Sequence, residues 1–246
     1  MEVLHHEAVD FFEKAVFDAN LASLMLSDFF KDLSEEDLEE LGRHKKDIRY
    51  EKGETLFHEA AQAFSLYLIL SGHVKLYKTG IDGKQQILRI VGPGDVLGYR
   101  SLFQEAPYHV SAQTLEDSEI CCIDAKAVFP LLEGSPKLAA ALLRRLVKDL
   151  VAAEELVTSI AQRPVRERMA KLLLLLKDSY GQPSEKGVMI NIQLSREEIG
   201  EMIGITRETA TRILSKFRKE KMIEDHNRVL IVLDPEALAK AAKVEI

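Results

Sequence analysis

The chain has 246 residues, a formal net charge of −7 at pH 7 and 46% hydrophobic residues, which is the composition of an ordinary soluble protein of one large or two modest domains. No apolar run approaches the ~18 residues of a membrane span, and the acidic N-terminus shows no secretory signal, so we expect a cytoplasmic protein without a membrane partner. The adjacent Cys121 and Cys122 are too few for a disulfide framework or a four-ligand metal site, so no structural metal is predicted.

The charge is unevenly distributed along the chain. Between Glu2 and Glu40 there are 12 acidic and two basic residues, whereas between Thr206 and Lys221 there are six basic and two acidic residues. The negative total argues weakly against nucleic-acid binding. A local basic stretch inside an acidic chain, however, indicates a short contact surface.

The first part of the chain has a helical pattern. Ser34 is a predicted N-cap, and Asp37 stands where a capping box usually has Glu or Gln. Leu38 and Leu41 supply the apolar face of this helix. Residues 1–29 are predicted to form a helical extension that precedes the first compact domain.

Residues 30–126 are predicted to form a small roll of two antiparallel sheets. Short β-rich runs are separated by glycine turns, and Asp82-Gly83 lies between two such runs. Asp-Gly between apolar runs is a strong hairpin signal, and many short strands with frequent turns are typical of a sandwich or barrel.

A long helix with a hydrophobic repeat follows, and residues 127–163 are predicted to be a dimerisation helix and hinge. Pro164 ends or kinks it, which places a domain boundary at Arg163-Pro164. The repeat predicts a parallel dimer seam, with packing on its own domain as the alternative. The seam residues have alternating spacings of three and four: Leu143, Leu146, Leu150, Ala153, Val157 and Ile160.

Residues 164–246 are predicted to contain a winged helix-turn-helix. Ser195 and Glu198 form a capping box, Gly200 allows two helices to approach closely, and Gly204 supplies a positive φ at the turn. Thr206 caps the second helix. Apolar contacts are expected from Ile199, Ile203, Ile205, Ala210, Ile213 and Leu214, and a wing from a turn at His226-Asn227 with a strand over Arg228–Leu233.

The outer face of the second helix carries the candidate DNA contacts. Arg207, Glu208 and Arg212 are predicted to contact base edges in the major groove, and Glu208 and Arg212 are spaced to orient each other. An ordinary helical hairpin with surface charges is the alternative. Candidate contacts to the DNA backbone, which set the register of binding, are Ser195, Arg196, Thr206, Thr209 and Lys216.

The segment Leu194–Ile231 resembles the winged helix of the cyclic-AMP receptor protein / fumarate–nitrate regulator (CRP/FNR) family of bacterial transcription factors. Three further segments resemble the β-roll signatures of that family: residues 53–57, 70–76 and 92–98. The resemblance implies an α+β fold with an N-terminal cyclic-nucleotide-binding-like β-roll (a double-stranded jelly roll), a long dimerisation helix and a C-terminal winged helix-turn-helix. It also implies a homodimer that binds double-stranded DNA at a palindrome of TGTGA-like half-sites and acts on RNA polymerase.

The resemblance places a small-molecule effector pocket in the roll, but the residues differ from those of the cyclic-AMP branch. That branch has a ribose-binding glutamate where this chain has Tyr99 and a phosphate-binding arginine where it has Val110. The adenine-contacting pair is not matched on the long helix either. Cyclic AMP is therefore disfavoured, and the effector stays unidentified. The candidate pocket residues are Gly98, Tyr99, Arg100, Ser101 and Ser111.

Cofactor chemistry is constrained by the cysteines and histidines. The first 120 residues contain no cysteine, which excludes the iron–sulfur branch of the family. Cys121 and Cys122 are expected in a strand with at least one buried structural thiol, and a redox switch is the alternative. Haem is disfavoured but left open, because the histidines of the roll are scattered: His44, His58, His73 and His109.

The sequence shows no catalytic residues, so we expect a regulator and not an enzyme. A catalytic Ser/His/Asp order, a phosphate-binding glycine loop and metal-ligand spacings are all missing from the sequence. The rival interpretation is an effector-binding regulatory subunit that uses its helix-turn-helix to contact another protein. The basic outer face of the second helix favours DNA.

Overall fold

We describe the fold from a computed structural model, in which the described residues are 22–226 and 229–244. They group into two compact units. The first unit contains the described residues up to Val74 together with Val91–Lys148. The second unit contains those in Lys75–Ile90 and in Asp149–Ile246.

The described residues form helices and strands in the order that the sequence predicts. They are α1 Glu35–Arg43, β1 Lys45–Tyr50, β2 Thr55–Phe57, β3 Ser65–Ser71, β4 Val74–Thr79, β5 Gln85–Val91, β6 Val96–Leu97, α2 Tyr99–Phe103, β7 Ser111–Thr114, β8 Ser118–Asp124, α3 Ala125–Gly134, α4 Pro136–Gln162, α5 Val165–Tyr180, β9 Gly181–Ser184, β10 Gly187–Ile190, α6 Arg196–Ile203, α7 Arg207–Lys219, β11 Ile223–His226, β12 Val229–Val232 and α8 Pro235–Ala242.

Helix α1 begins where the sequence predicts. The Ser34 hydroxyl accepts a hydrogen bond from the Asp37 N–H at 3.2 Å, which satisfies one of the free donors at the helix start. Leu38 and Leu41 are buried, so the predicted apolar face is confirmed. Of the predicted N-terminal extension, residues 1–21 lie outside the described residues, whereas Leu24, Phe29 and the following Phe30 are buried in the first unit.

The core of the first unit is a four-stranded antiparallel sheet with the strand order β1-β8-β3-β6. Ile120 of β8 pairs with Ile48 on one side and Ile69 on the other. Ile120 and Ile69 are fully buried, and as directly opposed partners on neighbouring strands they face the same side of the sheet. In the same unit, the short strand β2 pairs with β7.

The two cysteines lie in β8 as predicted, with one thiol facing the core. Cys121 is buried and Cys122 is half-buried. Burial raises the pKa of the Cys121 thiol to about 12 and that of Cys122 to about 11. Since the thiolate is the reactive form of cysteine, this environment agrees with structural thiols.

In the second unit, β4 and β5 form the predicted hairpin. Gly83 has φ 78°, the positive value that its tight turn requires. The sequence predicts this hairpin as part of the sensor roll, yet its contacts group it with the C-terminal residues. Lys75 and Gln86 of this hairpin both bond to residues of α6.

Pro164 separates the two longest helices among the described residues. Helix α4 ends at Gln162 and Pro164 is the N-cap of α5, so the predicted helix end is confirmed. The leucine run of α5 packs into the core as expected, except that Leu175 points to solvent. The second unit is completed by α8 and by an antiparallel sheet with the order β11-β12-β10-β9.

The predicted wing is formed by β11 and β12, which pair antiparallel from Ile223↔Val232 to His226↔Val229. Asn227 of the predicted turn and Arg228 of the predicted strand lie outside the described residues. No helix within the described ranges is long and apolar enough to cross a lipid bilayer.

We predict that Ile120→Ala lowers the free energy of unfolding by about 2–5 kcal/mol, because it leaves a cavity at the centre of the first sheet. Urea denaturation followed by circular dichroism measures the change. Ile81→Ala is the matched control, since Ile81 is fully exposed in the β4–β5 turn. A loss for Ile120→Ala no larger than that for Ile81→Ala would contradict the placement of the core.

Candidate nucleic-acid interface

The N-terminus of α6 is held by a reciprocal capping box. The Ser195 hydroxyl accepts from the Glu198 N–H at 3.1 Å, and the Ser195 N–H donates to the Glu198 carboxylate at 2.8 Å. Two donors that a helix start would leave unpaired are thereby satisfied. The predicted cap is confirmed, and it sets the first residue of the helix-turn-helix.

The turn between α6 and α7 depends on two glycines. A Cβ atom at Gly200 would lie 2.7 Å from the carbonyl oxygen of Ile205, closer than real Cβ contacts occur. The Ile205 N–H donates to the Gly200 carbonyl at 3.0 Å. Gly204 has φ 68°, in the left-handed region. Both glycines therefore have the roles that the sequence predicts.

Helix α7 is anchored at its start and along one face. The Thr206 hydroxyl accepts from the Thr209 N–H at 3.3 Å. The apolar face turns inward, and it includes one aromatic ring that the sequence interpretation missed, Phe217, which is fully buried. Its position, four residues after Ile213 and three after Leu214, continues the helical period and could have indicated it. The buried residues are Ala210, Ile213, Leu214 and Phe217.

The three candidate base-contacting residues lie together on the opposite face. Arg207, Glu208 and Arg212 are all exposed. Lys216, one helical turn after Arg212, is also exposed. The structure therefore presents two guanidinium groups, one carboxylate and one ammonium group on the solvent side of a capped helix.

The expected pairing of Glu208 with Arg212 is wrong. No ion pair joins them among the described residues, and the pKa of Glu208 is lowered by its own backbone N–H and by the Thr206 hydroxyl, with a smaller effect of Arg207. The carboxylate turns back to the helix N-terminus, where unpaired N–H groups and the helix dipole favour an anion. Arg212 thus projects without a carboxylate partner on α7.

The candidate residues for contact with the DNA backbone differ in whether their polar groups are already bonded within the protein. Arg196 is largely buried and forms an ion pair with Asp225 of the wing strand β11, so its guanidinium is held by protein and not directed to solvent. Ser195 and Thr206 already accept capping hydrogen bonds, and the Thr206 hydroxyl lies 3.2 Å from that of Thr209. Lys216 is the exposed cation of this set.

The candidate effector residues in the first unit are brought together only in part. Gly98 has φ 86° and precedes α2, and the Ser111 hydroxyl of β7 accepts from the Glu59 N–H at 2.9 Å. Tyr99 is 1% exposed and its ring centroid lies 6.0 Å from that of Phe29. Tyr99 therefore does not line an open pocket in this conformation, because it fills the core. Ser101 is also buried, whereas Arg100 is exposed.

A cavity of about 360 Å³ lies elsewhere in the first unit. It is bounded by residues 26–31, by the turn before β6 and by one face of α4. Its carboxylates are already paired, Asp95 with Arg145 at 2.6 Å and Asp28 with Lys31 at 2.7 Å. The sequence interpretation missed this cavity, since it depends on how the segment before Phe30 packs.

Two family models match the chain and together cover most of the parts described above. "Cyclic nucleotide-binding domain" matches residues 47–135, and "Crp-like helix-turn-helix domain" matches residues 167–241. A "Global nitrogen regulator" of Synechococcus elongatus is 30% identical over 208 residues, which cover 82% of this chain and 93% of that protein. The chain belongs to the CRP/FNR family.

A further relative agrees with the assignment to the CRP/FNR family, and a solved structure shares the fold. A "CRP-like cAMP-activated global transcriptional regulator" of Mycobacterium tuberculosis is 29% identical over 82% of this chain and 91% of that protein. The structure of FixK2 from Bradyrhizobium japonicum has a TM-score of 0.73 at 23% identity, covering 82% of this chain and 99% of that one. The predicted fold class is thus confirmed, and the chain is a DNA-binding transcription regulator of a family that is not enzymatic.

Three of the four candidate haem histidines of this CRP/FNR regulator contact neighbouring side chains. A ring nitrogen of His44 lies 3.1 Å from Glu40, and one of His73 lies 2.5 Å from Glu116. His109 lies 2.5 Å from Gln104. Within residues 22–226 and 229–244, no group of three or more His, Cys, Asp or Glu side chains is arranged to hold a metal ion.

We predict that Gly200→Ala destabilises the helix-turn-helix by about 1–3 kcal/mol, because the new methyl group meets the Ile205 carbonyl. The thermal midpoint of unfolding should fall. Gly134→Ala is the matched control, since nothing lies within 4 Å of a Cβ at that position. Equal midpoints for the two variants would contradict the close crossing of α6 and α7.

Proposed function

We propose that this protein acts as a homodimer that binds a palindrome of TGTGA-like half-sites in double-stranded DNA. The observation that carries the proposal is the exposed triplet Arg207, Glu208 and Arg212 on the capped helix α7. Arginine can make a bidentate contact to guanine O6 and N7, and a carboxylate accepts from cytosine N4. The N-terminal residues of a recognition helix are those that reach the base edges in the major groove.

The charge of α7 supports DNA as the partner. Its last turn carries Lys216, Arg218 and Lys219, all exposed, and such cations bind phosphates without regard to sequence. The wing strand β11 holds Arg196 near the same helix pair through Asp225. The rival function, contact with another protein through the helix-turn-helix, would not require this concentration of positive charge.

The exposed seam of α4 supports a homodimer. Six predicted seam positions, including Ala153, are exposed, and Val147 and Val151 are exposed beside them. A soluble monomer seldom exposes so large a continuous apolar surface, and an identical helix would cover it by heptad packing. A two-fold dimer places its two recognition helices about one DNA turn apart, which accounts for a palindromic site.

We further propose that an effector controls the two DNA-binding heads through the hinge at Arg163-Pro164. In this proposal, residues 1–29 are an N-terminal extension, 30–126 the sensor roll, 127–163 the dimerisation helix with its hinge, and 164–246 the DNA-binding domain. The DNA-bound dimer acts on RNA polymerase in the cytoplasm. The effector is not cyclic AMP, because Tyr99 and Val110 replace the ribose- and phosphate-binding residues of that branch. Whatever its identity, it must bind one conformation more tightly than the other.

Selection of bound sites from random DNA tests the central proposal. We expect palindromes with TGTGA-like half-sites to be enriched, and we expect candidate ligands to change the yield of bound DNA. DNA affinity should also fall steeply with salt concentration. Recovery of no preferred sequence, together with salt-independent binding, would favour the protein-contact function.

We predict that Arg212→Ala weakens specific binding by about 1–3 kcal/mol and relaxes base choice at one position of the half-site. Lys216→Ala should instead weaken specific and random DNA about equally and lower the salt slope by about 1. Fluorescence anisotropy with both DNAs measures the two effects. Equal losses of both variants on both DNAs would argue against base contact by Arg212.

We predict that Leu150→Glu raises the dissociation constant of the dimer by about 30-fold or more, because a charge enters the apolar seam. Sedimentation velocity at micromolar concentration measures the shift to monomer. Leu175→Glu is the matched control, since Leu175 is exposed on α5 and lies outside the seam. A monomeric wild type would contradict the dimer itself.

A further inference from the structure

The cavity of about 360 Å³ in the first unit carries an excess of positive charge. Its lining contains four cationic side chains and only two carboxylates. Each carboxylate is already paired with one cation of the lining, at 2.7 Å and 2.6 Å. The other two cations, Arg144 and Lys148 of α4, therefore give the cavity a positive potential that attracts anions from solution.

Arg144 and Lys148 are both available to a ligand. They are four residues apart on α4, so their side chains extend from the same face of the helix. Lys148 is exposed and forms no ion pair with any residue that the structure describes. Arg144 has one carboxylate nearby, that of Asp32 at 4.0 Å, but both side chains are largely exposed to solvent. Such a surface pair contributes little to stability, so an anion in the cavity can replace it.

The acidity of a carboxyl group at the edge of this cavity agrees with the positive potential. The pKa of Asp28 is lowered mainly by the bonded Lys31 and, to a smaller degree, by Lys148 and Arg144. The cations on both walls therefore act on the same region of the cavity. A negative charge that enters from solution is attracted by them in the same way.

The walls of the cavity are held in place by contacts of their own. Gly94 has φ 86°, and a Cβ at this position would lie 2.8 Å from the carbonyl oxygen of Leu26. The missing side chain thus allows residues 26–31 to pack against the turn before β6. Arg145 of α4 bonds to Asp95 in the same turn at 2.6 Å. The cavity is therefore enclosed on three sides before any ligand binds.

We propose that this cavity is the effector site of the protein and that its effector is a small organic dianion, either a phosphate monoester or a dicarboxylate. The proposal rests on the effector control of DNA binding proposed above. A phosphate monoester carries a charge of about −1.5 to −2 at pH 7, which matches the two cations of α4. Arginine binds the oxygens of a phosphate or carboxylate through its planar fork, and the volume is within the range of small-molecule sites.

The pocket that the sequence predicts inside the roll is a weaker candidate for this effector. Tyr99 is 1% exposed and packs into the core, and the Ser111 hydroxyl is bonded to the Glu59 N–H. The cavity against α4 is open without any rearrangement of these residues. It also differs in chemistry from a cyclic-AMP site, because cyclic AMP has a single negative charge and the two cations of α4 favour a double one.

A ligand in this cavity is directly linked to the dimer seam. Arg144 lies between the seam residues Leu143 and Leu146 in the sequence, and both leucines are exposed. The opposite wall carries Lys31. A dianion that contacts both walls favours the position of α4 in which all of its bonds form at once. Such a difference in affinity between two positions is what control by an effector requires.

Isothermal titration calorimetry of the full-length protein without DNA tests the site. The probes are inorganic phosphate, ribose 5-phosphate and succinate at constant ionic strength, with cyclic AMP as the singly charged comparison. We expect a dianion to bind at one site per protomer and cyclic AMP not to bind there. The two phosphates and succinate distinguish a phosphate ester from a dicarboxylate as the natural ligand.

Arg144→Gln and Lys148→Gln should each raise the dissociation constant of the bound probe by about 3- to 10-fold, because each removes one charged partner. Lys137→Gln is the matched control, since Lys137 is an exposed lysine of the same helix outside the cavity. Sedimentation velocity establishes that the variants keep the oligomeric state of the wild type. If Arg144→Gln does not fold, Lys148→Gln decides.

Fluorescence anisotropy with the DNA site selected from random sequences tests the effector role. We expect the bound probe to change the DNA affinity by at least about 5-fold, and the DNA must then change the affinity for the probe by the same factor. At a fixed probe concentration, the double variant Arg144→Gln/Lys148→Gln should respond much less than the wild type, whereas Lys137→Gln should respond as the wild type does.

The outcomes separate the site from the proposed function. If no dianion binds, or if both variants bind it as the wild type does, the anion site is wrong and the DNA-binding function stands. If a dianion binds in the cavity without any change in DNA affinity, the effector role is wrong. If the wild type does not distinguish any sequence from random DNA, the proposed function is wrong and the effector role falls with it, while calorimetry still decides whether the cavity binds a dianion.

Discussion

Helices α6 and α7 can cross closely only because Gly200 carries no side chain where the Ile205 carbonyl approaches. The crossing angle determines which residues of α7 point outward, and so it places Arg207 and Arg212 on a common exposed face. The caps at Ser195 and Thr206 then fix where each helix begins. Base recognition by rigid side chains needs such a fixed frame, since a bidentate contact tolerates little angular error.

The two helices of the helix-turn-helix present opposite charges: the outer face of α7 is basic, whereas α6 carries acidic side chains that point to a buried lysine. The outer face of α7 is basic and suits phosphates and guanines, whereas α6 turns the carboxylates of Glu198 and Glu201 to the buried Lys75. The chain as a whole has an excess of negative charge. Net charge is therefore a poor guide to the partner here, because positive charge is concentrated on a short surface of the chain.

Local signals in the sequence predicted most of the helix-turn-helix and of the sheets. The capping box at Ser195, the left-handed Gly204 and the Asp82-Gly83 hairpin each depend on a few adjacent residues. Contacts between distant residues were predicted poorly. The carboxylate of Glu208 bonds to its helix start and not to Arg212, Arg196 pairs with Asp225, and Tyr99 packs against Phe29 inside the core.

The sequence by itself determined the order of elements, because caps, turns and hydrophobic periods are local properties. Its resemblance to the CRP/FNR family indicated the class of the protein and predicted which residues contact DNA. Only the tertiary structure decided what the β4–β5 hairpin touches. Lys75 and Gln86 are more than 110 residues from Glu198 and Glu201 in the chain, and no local pattern predicts a contact at that separation. Their bonds to α6 arise from packing within the second unit.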